Sequence, residues 1–262
     1  MNPRAETQTA NKDLETTEIV RKARENASRM LRDAGYDIGN NVDAVIDPKL
    51  PFMGYTAPQR GGFKIVVSGG SVESGLLEGL LVHEMSHVYR IRTQHPSHNG
   101  TILQEAVGNL GKMRPYQEKI LFDLLNDIQD LYADDISFQV IRKNKIMNDS
   151  QATDFLQSWV KDKPAKTDDV KKDNWTNASI MEHNARALAQ MHRHGVKDVD
   201  NRAKLANQKF LASIPPKMAE HYPYFENLLT NLRQDLTEDN YGTLLADVLK
   251  HFLEAANINR LK

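Results

Sequence analysis

The segment LLVHEMSHVYR, residues 80–90, sets two histidines and a glutamate within about one turn of an otherwise apolar stretch. On an α-helix His83 and His87 stand four positions apart, so their side chains leave one face and can reach a single tetrahedral metal ion. Glu84 is rotated about 100° from His83, close enough to touch a water on that ion without taking a coordination position. That is the placement of a general base. The stripe Leu76, Leu80, His83, His87 and Ile91 is apolar apart from the two histidines, which predicts that they point inward. The alternative is a buried structural pair, since a chain with nine histidines meets His-Glu-x-x-His by accident on the order of once in a hundred such sequences.

The elements that must carry these residues can be read from periodicity. Leu14, Ile19, Ala23, Ala27, Met30 and Leu31 recur at helical spacing over 14–34, and Gly35 supplies a left-handed stop. From 36 to 70 the density of Gly, Pro and Asn rises around two β-like runs, VDAVI at 42–46 and FKIVVS at 63–68, which predicts a small sheet. Ser71 is placed to cap one long helix that runs through the histidines to about Arg92, ahead of the loop TQHPSHNG. Helices are expected over roughly 101–111, 116–145 and 151–160, then near 175–194, 199–213 and 224–256. The charged, proline-containing stretch 161–174 reads as a linker or long exposed loop. The expected fold class is α+β and mostly α. Its parts are a disordered tail at 1–13, a catalytic domain at 14–160 with a small sheet and an active-site helix, the linker, and a helical subdomain at 175–262.

Composition narrows the chemistry. A chain of 262 residues, 40% hydrophobic and 26% charged, can bury a core, and its formal net charge of −1 gives no general attraction to nucleic acid or to an acidic membrane surface. No apolar run approaches the roughly 20 residues that span a bilayer, and the polar N-terminus lacks the core of a signal peptide. A soluble, cytoplasmic protein is expected. Cysteine is absent, which removes disulfides, thiolate metal sites and a cysteine nucleophile together. Any metal must use His, Asp or Glu.

The VHEMSH segment resembles the active-site helix of the zincin metallopeptidases, which carries two zinc ligands and the catalytic glutamate. The preceding FKIVVS is similar to the edge strand along which such enzymes lay an extended substrate. In the metzincin branch the motif continues to a glycine and a third histidine, but here those positions hold Arg90 and Thr93, and His95 and His98 are out of register. The gluzincin branch takes a carboxylate from a later helix. The candidate is 120–141, where Asp123, Asp127, Asp130 and Asp134 border a broad apolar arc. Like charges one turn apart repel, so the stripe calls for a cation unless it simply faces water.

Within that stripe DLYAD, Asp130 to Asp134, resembles the Glu-x-x-Ala-Asp motif of the prenyl-protein-processing gluzincins. The resemblance implies Asp130 as third zinc ligand and Asp134 as the acid that orients a ligand histidine. It departs from that family in having Asp for Glu, which shortens the ligand arm by one methylene, and in lacking a membrane span. Asp127 and Glu105 remain rivals for the third position. His95, His98, Tyr132 and Tyr241 are open candidates for steadying an oxyanion, and MHRH at 191–194 reads as solvated helix-end residues.

The expected activity is therefore zinc-dependent hydrolysis of peptide bonds in a peptide or protein substrate, with Glu84 as general base on a zinc-bound water. Nucleic acid and membrane are not expected partners. The other classes are a zincin fold without peptidase activity and a metal-free helical interaction protein, which would leave the acidic stripe exposed and the histidines in the core.

Overall fold

The computed structural model describes residues 3–108 and 110–258, with side chains from residue 15 onward. The fold is α+β and mostly α. In chain order it comprises α1 (Pro3–Asp33), β1 (Val42–Asp47), β2 (Gly54–Gln59), β3 (Gly62–Ser68), α2 (Gly69–Glu73), α3 (Leu77–Arg92), α4 (Gly100–Gly108), α5 (Pro115–Lys143), α6 (Asp149–Trp159), α7 (Val170–Arg193), α8 (Arg202–Ser213), α9 (Pro216–Ala219), α10 (Tyr222–Thr230) and α11 (Glu238–Ala256). Two compact units result, neither continuous in sequence: Met1–Thr93 with Ile136–Met147, and Gln94–Asp135 with Asn148–Lys262. Helix α5 contributes to both. The division falls inside that helix rather than at the charged stretch 161–174, because the apolar arc of α5 serves one core before Asp135 and the other after it.

The first unit packs α1, α3 and the last turns of α5 on the sheet. Val20, Ala23, Ala27, Met30 and Leu31 form the buried face of α1, whereas Ile19 is exposed and the Leu14 side chain lies outside those described. Gly35 takes φ +93°, and the Tyr36 N–H donates to the Leu31 carbonyl at 2.9 Å, closing the helix with the expected left-handed cap. The sheet order is β1-β3-β2, with β1 parallel and β2 antiparallel to β3. FKIVVS is thus the central strand and not an edge, with Ile65 and Val67 fully buried. The edge beside it is β2, GYTAPQ, whose Gly and Pro concealed it from a β-propensity reading. Pro58 is tolerated because an edge strand can leave one side of its ladder unpaired.

The expected single long helix is two. Ser68, not Ser71, caps α2 by accepting from the Ser71 N–H at 3.2 Å, and Gly75 at φ +73° breaks the chain before α3 begins. Leu77, Leu81, Val82, Met85 and Val88 turn α3 into the core against Ile136, Val140 and Ile141 of α5.

The second unit is helical. Leu121, Leu124, Leu125, Ile128 and Leu131 of α5 pack in one cluster with Ala178, Met181 and Ala185 of α7 and Leu245, Val248 and Phe252 of α11. The helical pattern near 224–256 resolves into α10 and α11, the latter restarted by Thr237, whose side chain accepts from the Asn240 N–H at 3.2 Å. The stretch 161–169 is strapped to α7. Asn184 accepts from the Lys161 N–H at 2.8 Å and donates to its carbonyl at 2.9 Å. Asn177 makes the same pair of bonds to Ala165 at 2.7 and 3.1 Å, and Asp173 accepts from the N–H and hydroxyl of Thr167. Side chains four and seven positions apart on one helix face thereby satisfy a passing backbone that lacks secondary structure of its own. Among the described residues no helix is long and apolar enough to cross a membrane.

Asn184 is fully buried, so Asn184→Ala leaves a backbone donor and acceptor of Lys161 without partners and is expected to cost about 2–4 kcal/mol. Urea unfolding should show the lower midpoint, and trypsin should cut first within 161–169; an unshifted midpoint would mean that the strap contributes nothing.

Candidate metal centre

Within the first unit, α3 presents His83 and His87 on a half-buried flank while its Leu77–Leu81–Met85 face fills the core. The two Nε2 atoms lie 3.1 Å apart, with ring centroids 4.8 Å apart and planes at 83°. Two nitrogens each about 2.05 Å from one tetrahedral ion would be about 3.3 Å apart, so the pair has the spacing that a shared ion requires. Glu84 is more buried than either histidine, at 6% exposure. Its Oε2 accepts from the Thr56 hydroxyl of β2 at 2.8 Å, and the same hydroxyl lies 3.1 Å from the Glu84 carbonyl. A carboxylate taken from water needs such a donor. The edge strand that the sequence concealed is therefore what fixes the orientation of the candidate base.

Within the second unit, the acidic stripe of α5 grades from solvent to interior. Asp123 is exposed and paired with Lys119 one turn back. Asp127, Asp130 and Asp134 face α7, which answers them with one guanidinium. Arg186, only 5% exposed, pairs with Asp127, lies 3.0 Å from Asp130 Oδ2 and 3.6 Å from Asp134 Oδ2. Asp127 is also 3.2 Å from His183 Nδ1. The Arg186 guanidinium carbon sits 5.1 Å from the Trp159 ring centre, and the Trp159 ring stacks on His183. Asp134, nearly fully buried, accepts from the side-chain amide of Gln190. The Gln190 carbonyl oxygen lies 2.7 Å from His194 Nε2. These bonds engage Asp127, a rival third ligand, from two sides, whereas Glu105 lies on the exposed flank of α4.

The open candidates for an oxyanion donor have defined places in the second unit. His95 Nε2 lies 2.9 Å from the Gln234 carbonyl, which can only accept, so that nitrogen carries a proton and Nδ1 receives from Ser97. His98 Nδ1 lies 2.7 Å from the Ser97 hydroxyl. Tyr132 and Tyr241 are fully buried, their rings edge to face at 5.9 Å, and burial pushes the Tyr241 hydroxyl above its ordinary range. His194 is not a solvated helix end: its side chain is 9% exposed and held by Gln190. Only His192 of the MHRH segment is exposed.

Sequence reading assigned no chemistry to α7. Yet Glu182, Arg186, Gln190 and Arg193 recur at intervals of four, four and three through an alanine-rich helix. That polar stripe has the same period as Asp127, Asp130 and Asp134, and opposing charged stripes of equal period are the signal of a buried polar seam. Arg193 extends it by pairing with Asp135 and donating to the Leu232 carbonyl at 3.1 Å beyond the end of α10.

Residues 26–254 match a family of unknown function (DUF5781), and the chain belongs to that family. No curated protein and no solved structure matches it.

Glu182 is the outlier of the seam. It is 1% exposed, its Oε1 has no hydrogen-bond partner among the described residues, and burial followed by the charge of Asp127 push its carboxyl well above the usual range, against the pull of Arg186. A carboxyl with a raised folded-state pKa favours the native state below its unfolded pKa and loses that contribution as pH rises toward the folded value. Glu182→Gln should therefore leave stability unchanged below about pH 4 and raise it relative to the parent chain at pH 7 to 8. Urea midpoints across that range give the test, and a variant destabilised equally at both ends would contradict the assignment.

Proposed function

We propose that this member of the DUF5781 family is a zinc-dependent peptidase of the cytoplasm, with His83, His87 and Asp130 as ligands and Glu84 as general base. The observation that carries the reading is the 3.1 Å approach of the two Nε2 atoms beside a buried Glu84 that Thr56 holds in place. Imidazole and carboxylate donors suit zinc, and three protein ligands leave a position open. Bound there, the ion would polarise a substrate carbonyl and bring the pKa of a water toward about 7.

The chain's own groups then have separate tasks. Glu84 takes a proton from the attacking water and returns it to the leaving amine, while the Thr56 hydroxyl keeps the carboxylate in one rotamer. Arg186 sits on Asp130 Oδ2 at 3.0 Å and fixes the orientation of that carboxylate. Gln190 holds Asp134, which in this reading orients a ligand histidine through its second ring nitrogen. The substrate is a peptide or protein.

One observation favours a second reading. Arg186 already supplies a cation to Asp127, Asp130 and Asp134, as expected of a metal-free helical protein with a polar seam. Metal content separates the two. The purified chain should retain about one zinc through gel filtration, and His83→Ala with His87→Ala should release it; retention by the double variant would place the ion elsewhere. Glu84→Gln should keep zinc and lose cleavage of a peptide library by at least about a hundredfold, and unchanged cleavage would remove Glu84 from the chemistry. Asp130→Ala should lower zinc affinity severely and Asp134→Ala roughly 10 to 100-fold. A larger loss from Asp127→Ala or Glu105→Ala would reassign the third ligand.

A further inference from the structure

A second cluster of ligand-type side chains lies in the helical unit, on elements to which sequence reading gave no role. His221 directly precedes α10, while His251 and Glu254 stand three positions apart on α11 and share a face. One donor atom from each lies within 4.8 Å of the others, both histidines are half-buried, and Glu254 is exposed. His221 Nδ1 and His251 Nδ1 are 3.3 Å apart. That is the separation of two nitrogens bound at about 2.05 Å to one tetrahedral ion.

We propose that His221, His251 and Glu254 form a second binding site for a divalent transition ion of the zinc class, separate from the centre on α3. The surroundings supply what a ligand histidine needs. The Tyr224 ring stacks on His251 with centroids 3.6 Å apart and planes at 15°, which fixes the imidazole plane. The Tyr224 hydroxyl donates to Asp247 Oδ2 at 2.7 Å. The other oxygen of Asp247 lies 4.0 Å from His251 Nε2, the nitrogen turned away from His221. At that distance the carboxylate makes no hydrogen bond to the ring, and the stacked Tyr224 is what fixes the imidazole. Two imidazoles and one carboxylate with an exposed side select zinc, copper or nickel over magnesium or calcium. An ion there would add a third tie between the start of α10 and the last turns of α11, beside the Tyr224 stack on His251 and the Tyr224–Asp247 hydrogen bond. Its role is then to clamp the helical unit, with affinity below that of the α3 centre because Glu254 faces water.

Zinc titration of the chelator-stripped full chain, in competition with a chromophoric chelator and followed by thermal unfolding, tests this. Two sites are expected, a tight one and a weaker one whose filling raises the melting temperature further. His251→Ala should remove the weaker site alone. Glu254→Gln, a surface change that leaves the fold intact, should weaken it by more than about tenfold. His83→Ala with His87→Ala should remove the tight site alone, so failure of the peptidase centre and failure of this one are read independently. A weaker site unaffected by both His251→Ala and Glu254→Gln, or a single site lost with His83 and His87, overturns the proposal.

Discussion

The helical unit is organised by the insertion of one guanidinium into a row of acids. Arg186 is almost fully buried among Asp127, Asp130 and Asp134, and a buried charge that lost these partners would cost several kcal/mol. That cost ties α7 to the acidic stripe of α5, and which turn of the stripe it meets is set by Arg186, Gln190 and Arg193 pairing at the same time. Gln190 and Arg193 repeat the match at Asp134 and Asp135 in the same register. Apolar packing of Ala178, Met181 and Ala185 against α5 could tolerate other registers; the polar seam does not.

A different device serves the first unit. Its candidate base is held by an edge strand whose sequence, GYTAPQ, has poor β-propensity, and the strand is kept by its ladder to β3. The Thr56 hydroxyl has one proton and two acceptors on Glu84 within reach, so strand and helix are joined at the candidate base. The histidines meet through their own spacing on α3, four positions apart, which brings Nε2 within 3.1 Å of Nε2.

The legible features were those that depend on local rules. The mostly helical α+β class, the Gly35 cap, α4, α6 and the apolar arc of α5 follow from periodicity and turn chemistry. Features decided by contacts distant in sequence were not legible. A Gly-Pro strand survives only on the edge of a sheet whose order cannot be read from one segment. The charged stretch 161–169 has a linker's composition, yet Asn177 and Asn184 order it. The face expected of α1 missed by one residue at Ile19, which is exposed while Val20 is buried, because neighbouring β-branched residues fit the same period until the direction of the core is fixed. The polar stripe on α7 was visible as a period, but its meaning required pairing with the stripe on α5.

That pairing also bears on whether the acids of α5 serve only structure. Arg186 brings one positive charge to three carboxylates, and burial followed by the charge of Asp127 pushes the Glu182 carboxyl well above the usual carboxylate range, which disfavours a fourth negative charge in the seam. His183 reaches Asp127 alone, at the end of the row nearer solvent. The guanidinium therefore holds the row at three points, with Asp127 shared between Arg186 and His183. Burying several carboxylates side by side destabilises a fold unless each meets a donor, and Gln190 and Arg186 both reach Asp134, the most buried of the three.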